Sequence, residues 1–205
     1  MQLREPLSNW RMTMTWLLLG LFLFLATHSL RMLAPGLRFE MIGRLGEMGW
    51  KALFSVISLL SFGMLIYGYA QARLDPSILW VPPVWTRHLA SLLTLPAFML
   101  LVAAYVPGNH FKARIGHPMY AAVKLWALAH LLANGALHDL LLFGSFLIWA
   151  VAGFISGRRR DRAESWRPGP GRWLSTLAVI VAGAGLWVVF ALFLHARWIG
   201  VAPFG

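Results

Sequence analysis

In 205 residues the chain carries 59% hydrophobic and only 12% charged residues, about half the charged share of an ordinary soluble domain. One water-soluble core of this size cannot bury so much apolar surface, whereas about six spans of roughly 20 residues account for it. The expected class is therefore all-α, a polytopic membrane helical bundle with about six transmembrane helices in contact with the lipid bilayer. The formal charge of +11 does not call for nucleic acid, because the basic residues fall between apolar runs, where topology and anionic headgroups use them. The absence of cysteine excludes disulfides, zinc thiolate sites, iron–sulfur clusters and haem attached through CxxCH.

The apolar pattern begins at Met14-Thr15-Trp16. Residues 1–13 are expected to form an N-terminal extension without structure, with Met12 or Met14 as an alternative start, and residues 14–205 a single transmembrane domain. The helix-like Thr27-His28-Ser29 after Ala26 argues against a cleaved signal peptide, so the first run, 16–33, is a retained span. A polar connection containing Arg31, Arg38, Glu40, Arg44, Glu47 and Lys51 leads to the second span, 52–72. Asp75-Pro76 and Pro82-Pro83 then interrupt any helix. The third span, 85–106, is expected to bend at Pro96, which lacks an N–H for the ladder. The fourth, 118–133, opens at Pro118, a favoured first helical residue, directly after His117. It ends at Asn134-Gly135. The fifth, 137–155, precedes the run Arg158-Arg159-Arg160-Asp161-Arg162 and a Pro/Gly-rich link. The sixth, 173–196, offers Ala178, Ala182, Gly183 and Gly185 for close helix packing.

Orientation follows from Lys and Arg. Counting Lys124 with the third connection, thirteen of the 18 lie in the first, third and fifth connections and five elsewhere. Those three connections are expected on the cytoplasmic side, with both termini in the periplasm of a bacterial inner membrane.

With only seven acidic residues, a paired-carboxylate mechanism has little material, and no Ser-His-Asp pattern is visible. The seven histidines are the informative set, since an ionisable side chain near a span is a functional candidate. His88, His138 and His195 fall near periplasmic ends and read as interfacial residues. His28 lies about one turn from Arg31, near the cytoplasmic face, and His117 opens the fourth span at that same face. Two imidazoles from different helices at one depth are what a bis-histidine haem b needs, and His110, in the adjoining loop, is a rival ligand. His130 follows His117 by thirteen residues, about 220° around a helix, so the two rings point to opposite faces. It reads as a packing residue, with a single-haem alternative on the periplasmic side. Lys124 follows by seven, so it shares the face of His117 about 10 Å away, either snorkelling or lining a common cavity as a cofactor-binding cation.

The runs Ala26-Thr27-His28-Ser29-Leu30-Arg31, Gly116-His117-Pro118-Met119 and Lys124-Leu125-Trp126-Ala127-Leu128-Ala129-His130-Leu131-Leu132-Ala133-Asn134-Gly135 resemble the bacterial NnrU family. That family is linked to denitrification, and it is similar to plant zeta-carotene isomerase, a membrane enzyme with haem b held by two histidines. The resemblance implies His28 and His117 as axial ligands and a role in nitrite and nitric oxide metabolism, with nitric oxide or nitrite reductase components as partners. The isomerase's alternative cysteine ligand has no counterpart here. His117-Pro118-Met119-Tyr120 also resembles the RHPxY motif of membrane isoprenylcysteine carboxyl methyltransferases, which hold S-adenosylmethionine, although Gly116 replaces the arginine and no Glu-Glu pair follows. The alternatives to a haem protein are thus a membrane isomerase or an S-adenosylmethionine-dependent methyltransferase acting on a lipid-soluble substrate, or a non-catalytic assembly partner.

Overall fold

A computed structural model describes residues 6–204, with side chains from Met14 onward. Eight α-helices are present among them: α1 (Pro6–Leu33), α2 (Pro35–Ala72), α3 (Trp85–Tyr105), α4 (His110–Ile115), α5 (Pro118–Ala133), α6 (Leu137–Ala163), α7 (Trp173–Val189) and α8 (His195–Ile199), the last two joined by a π-helical turn, Phe190–Leu194. Five segments are long and apolar enough to cross a membrane: Met14–Leu33, Pro35–Ala72, Trp85–Tyr105, Leu137–Ala163 and Trp173–Ile199. Helix α5 is apolar but has 16 residues, about 24 Å of helix. The fold is the expected all-α polytopic membrane class. The first five positions of the expected N-terminal extension lie outside the described residues.

The chain divides into two compact units, the first formed by residues up to Leu79 with Ala136–Ser145, the second by Trp80–Gly135 and Phe146–Gly205. In the first unit α1 and α2 pack through small residues. A Cβ on Gly20 would lie 2.5 Å from the Leu65 backbone nitrogen, and one on Gly68 would overlap the backbone of Leu17. Ser61, Leu65, Gly68 and Ala72 are buried, while Leu59, Leu60, Phe62 and Ile66 are exposed. Small inside and large outside is the pattern for lipid, where helices associate by close van der Waals contact instead of expulsion from water. The second unit repeats it: a Cβ on Gly183 of α7 would come 2.6 Å from the Met99 Cα of α3, and Ala97, Ala103, Ala127, Ala129 and Ala150 are buried.

Two connections differ from the sequence expectation. The polar stretch after the first span is helical, because Pro35 starts a helix and Glu40–Arg44 and Glu47–Lys51 form i,i+4 ion pairs along it. Inside α2, Gly46 adopts φ 71°, ψ 168°, a conformation open essentially to glycine alone. It separates residues 35–45, with exposed Leu37, Phe39 and Leu45, from the spanning part. The basic run after the fifth span is helical too: α6 continues to Ala163, with Arg160 and Arg162 in its last turn, where cations complement the helix dipole. Helix α3 carries Pro96 inside it.

Candidate functional site

The extension of α6 decides where His117 sits. His117 is the N-cap of α5, held out of helical geometry at φ −120°, ψ 67° by the clash that Pro118 imposes on the residue before it. Along α6, Gly153, Gly157 and Asp161 are spaced by four and form one stripe. Gly153 lies under the Tyr120 ring and Gly157 under the His117 ring, where a Cβ would come 2.6 Å from Nε2. Asp161 then accepts a hydrogen bond from His117 Nε2–H at 3.0 Å, and Arg158 Nη1 stands 3.7 Å from the same oxygen. Because a carboxylate only accepts, Nε2 carries a proton, and in the neutral ring Nδ1 has the lone pair. Lys124 places Nζ over the Phe154 ring at 3.8 Å, and Phe154 meets His117 edge-on at 6.3 Å. His117 and Lys124 therefore flank one aromatic ring, as the shared helix face requires.

The opposite tautomer is set at His28 and His130. Each Nδ1 lies 2.7 Å from the carbonyl four residues earlier, Phe24 O and Trp126 O respectively. A carbonyl cannot donate, so Nδ1 is the protonated nitrogen and Nε2 bears the lone pair. His28 also stacks on Phe24 at 4.1 Å and meets Phe54 at 5.2 Å within the first unit. His110 is anchored within the second unit: Nδ1 bonds Thr176 Oγ1 at 2.8 Å, the ring lies 4.4 Å from Trp173, and Gly171 leaves room for it.

A cavity of about 400 Å³ opens in the second unit between α3, α5, the end of α7 and the C-terminal residues. Its walls are largely apolar, with Phe98, Trp126, Trp187 and Phe190; its polar members include Arg87, Thr94, His130, Asn134 and His195. Trp187 Nε1–H is satisfied by Thr94 Oγ1 at 3.0 Å. Asn134 Nδ2 returns to the carbonyl of His130 at 2.9 Å and closes the end of α5. His195 repeats the arrangement of His130, with Nδ1 2.6 Å from Val201 O. Two imidazoles with lone pairs on Nε2 thus line one cavity, although the sequence alone gave His195 an interfacial role. Asp161, expected in a loop, was also missed. Its signal was the Gly153–Gly157–Asp161 spacing, masked by the surrounding arginines. Among the described residues no group of three or more His, Cys, Asp or Glu clusters to hold a metal ion.

Apolar spans, small-residue helix contacts and a few buried polar side chains define a polytopic membrane protein of the all-α class. A family model described as NnrU protein matches residues 16–203, and the chain belongs to the NnrU family. Comparison with curated proteins and with solved structures gives no match.

Proposed function

We propose that this NnrU-family protein is a multi-pass protein of the bacterial inner membrane that binds haem b in the cavity of its second unit and supports nitrite and nitric oxide metabolism. The observation that carries the reading is the matched pair of imidazoles. A metal-ligating histidine is commonly held by a hydrogen bond from its other ring nitrogen, and His130 and His195 have Nδ1 bound in that way at the wall of one cavity. About 400 Å³ is within the range for small-molecule and cofactor sites, the aromatic walls suit a flat apolar macrocycle, and Arg87 supplies a cation for a carboxylate. In chemical type the lining side chains are those such a group takes as axial, stacking and charge partners. When bound, haem supplies one-electron chemistry and an iron site for nitrogen oxides. His130 and His195 would hold it, while Trp126, Trp187 and Phe190 keep water from it.

Of the two histidines to which the resemblance assigns axial roles, His28 has the same tautomer and His117 the opposite one, with Nε2 committed to Asp161. Protein purified in detergent from haem-replete cells is expected to show a sharp Soret band, weakened severalfold in His130→Ala and in His195→Ala. A colourless preparation overturns the reading. A band that survives His195→Ala but is lost in His28→Ala or His117→Ala returns the axial role to the pair implied by the resemblance.

The His117–Asp161 pair favours a second reading, a membrane enzyme working on a lipid-soluble substrate. A carboxylate that orients an imidazole prepares it for general acid–base work, as a double-bond isomerase requires. Conversion lost in Asp161→Asn with the Soret band intact would favour it. An assembly role with nitric oxide or nitrite reductase components would instead give co-purification that survives every histidine substitution.

A further inference from the structure

A polar cluster in the first unit is used by neither reading. His138 and Asp139 open α6, and their side chains are only 5% and 8% exposed. Tyr69, near the end of α2, donates its hydroxyl to Asp139 Oδ1 at 2.5 Å, the short end of the range for a hydroxyl on a carboxylate. Asp139 also occupies the first turn of a 27-residue helix, where unpaired N–H groups favour negative charge. The Tyr69 hydroxyl and the start of α6 thus fix the position of the Asp139 carboxyl group.

His138 is less settled. Its Nε2 stands 3.6 Å from the same Asp139 oxygen, near enough for ion pairing but too far for a hydrogen bond. Its Nδ1 is buried without a hydrogen-bond partner among the described residues. A polar atom orphaned in this way in a native interior signals strain or a functional role. Tyr69 and Phe143 close the surroundings, with ring centroids 5.3 Å between Tyr69 and His138 and 6.5 Å between Tyr69 and Phe143. Arg73, the C-cap of α2 one turn beyond Tyr69, is a further charged group acting on the cluster. Helix α1 packs against α2 here through Leu17 and carries no ionisable side chain between Met14 and Thr27.

We propose that Tyr69, Asp139 and His138 form a proton-binding site, in which His138 takes up one proton opposite the Asp139 carboxylate that Tyr69 holds in place. The balance is simple. One proton from water adds to the imidazole, no bond other than N–H forms, and the pair passes from a net charge of −1 to zero. An approach of less than about 1 Å then turns the Nε2–Oδ1 contact into a charge-assisted hydrogen bond. Chains of Asp, Glu and His within the membrane form the proton relays of pumps and transporters.

The test is a proton-uptake measurement on the full-length protein in lipid nanodiscs between about pH 5 and 9, the range in which a histidine responds. His138→Gln is expected to take up one proton fewer than the unsubstituted protein. Asp139→Asn, which removes the counter-charge, is expected to weaken binding of that proton about tenfold. Nitrogen-15 spectra of the histidines in the unsubstituted protein provide a readout that needs no variant to fold, and His138 should titrate there in one step. Equal uptake in His138→Gln, or a His138 signal that stays constant across the range, overturns the proposal.

Discussion

At the scale of single residues, the partner of one ring nitrogen determines what the other can do. His28, His130 and His195 each give Nδ1 to a backbone carbonyl, while His117 gives Nε2 to Asp161. The partners of His28 and His130 lie one turn back on the same helix, but sequence spacing could not assign the tautomers of His117 and His195, because Asp161 and Val201 reach them only through the fold. The His117 arrangement depends on Gly157, which has no Cβ to meet the ring. Gly157→Ala is expected to push the imidazole away from Asp161 and to lower stability by about 1–3 kcal/mol, the usual cost of overpacking. Unfolding in detergent measures this, and the double variant with His117→Ala should recover most of the loss, since the clashing ring is gone. Equal losses with and without His117 would mean that Gly157 serves something other than the ring.

At the scale of helices, close approach at glycine holds α1 against α2. Gly68 faces the Leu17 backbone, whereas Gly63, five residues earlier on the same helix, has nothing within 4 Å. Gly68→Ala should separate the pair and cost about 1–3 kcal/mol. Gly63→Ala should be neutral or stabilising by about 0.5–1 kcal/mol, since alanine is the better helix former. Thermal melts of the two variants side by side check the contrast, and a similar loss in both would remove packing as the cause. Hydropathy made the six apolar runs legible because it reports transfer to lipid residue by residue. It did not reveal that polar stretches continue as helix. The charges of 35–45 and of 158–162 look like loops to any scale that penalises charge, yet i,i+4 pairing and the helix dipole stabilise both. That error moved Asp161 off its helix and hid the partner of His117.

For the whole molecule the number of crossings turns on α5. At about 24 Å its 16 residues fall short of a hydrocarbon core of about 30 Å, a mismatch that local thinning can absorb at a fraction of a kcal/mol per Å. With α5 crossing, six passes return the chain to its starting side, and the Lys and Arg distribution favours the periplasm for both termini. The basic stretches strengthen that orientation, because Arg38 and Arg44 lie on a helix beside exposed Leu37, Phe39 and Leu45. Such a segment suits a headgroup surface, where each cation near anionic lipid is worth about 1 kcal/mol. Reporter fusions test the arrangement. An alkaline phosphatase joined after Phe204 should be active, one joined after Ser165 inactive, and a fluorescent protein that folds only in the cytoplasm should give the reverse pattern. A fluorescent C-terminal fusion together with an inactive phosphatase at the same place, while a fusion between the first two spans still reports the cytoplasm, would mean an odd number of crossings. The short apolar helix after His117 would then be the one that fails to span.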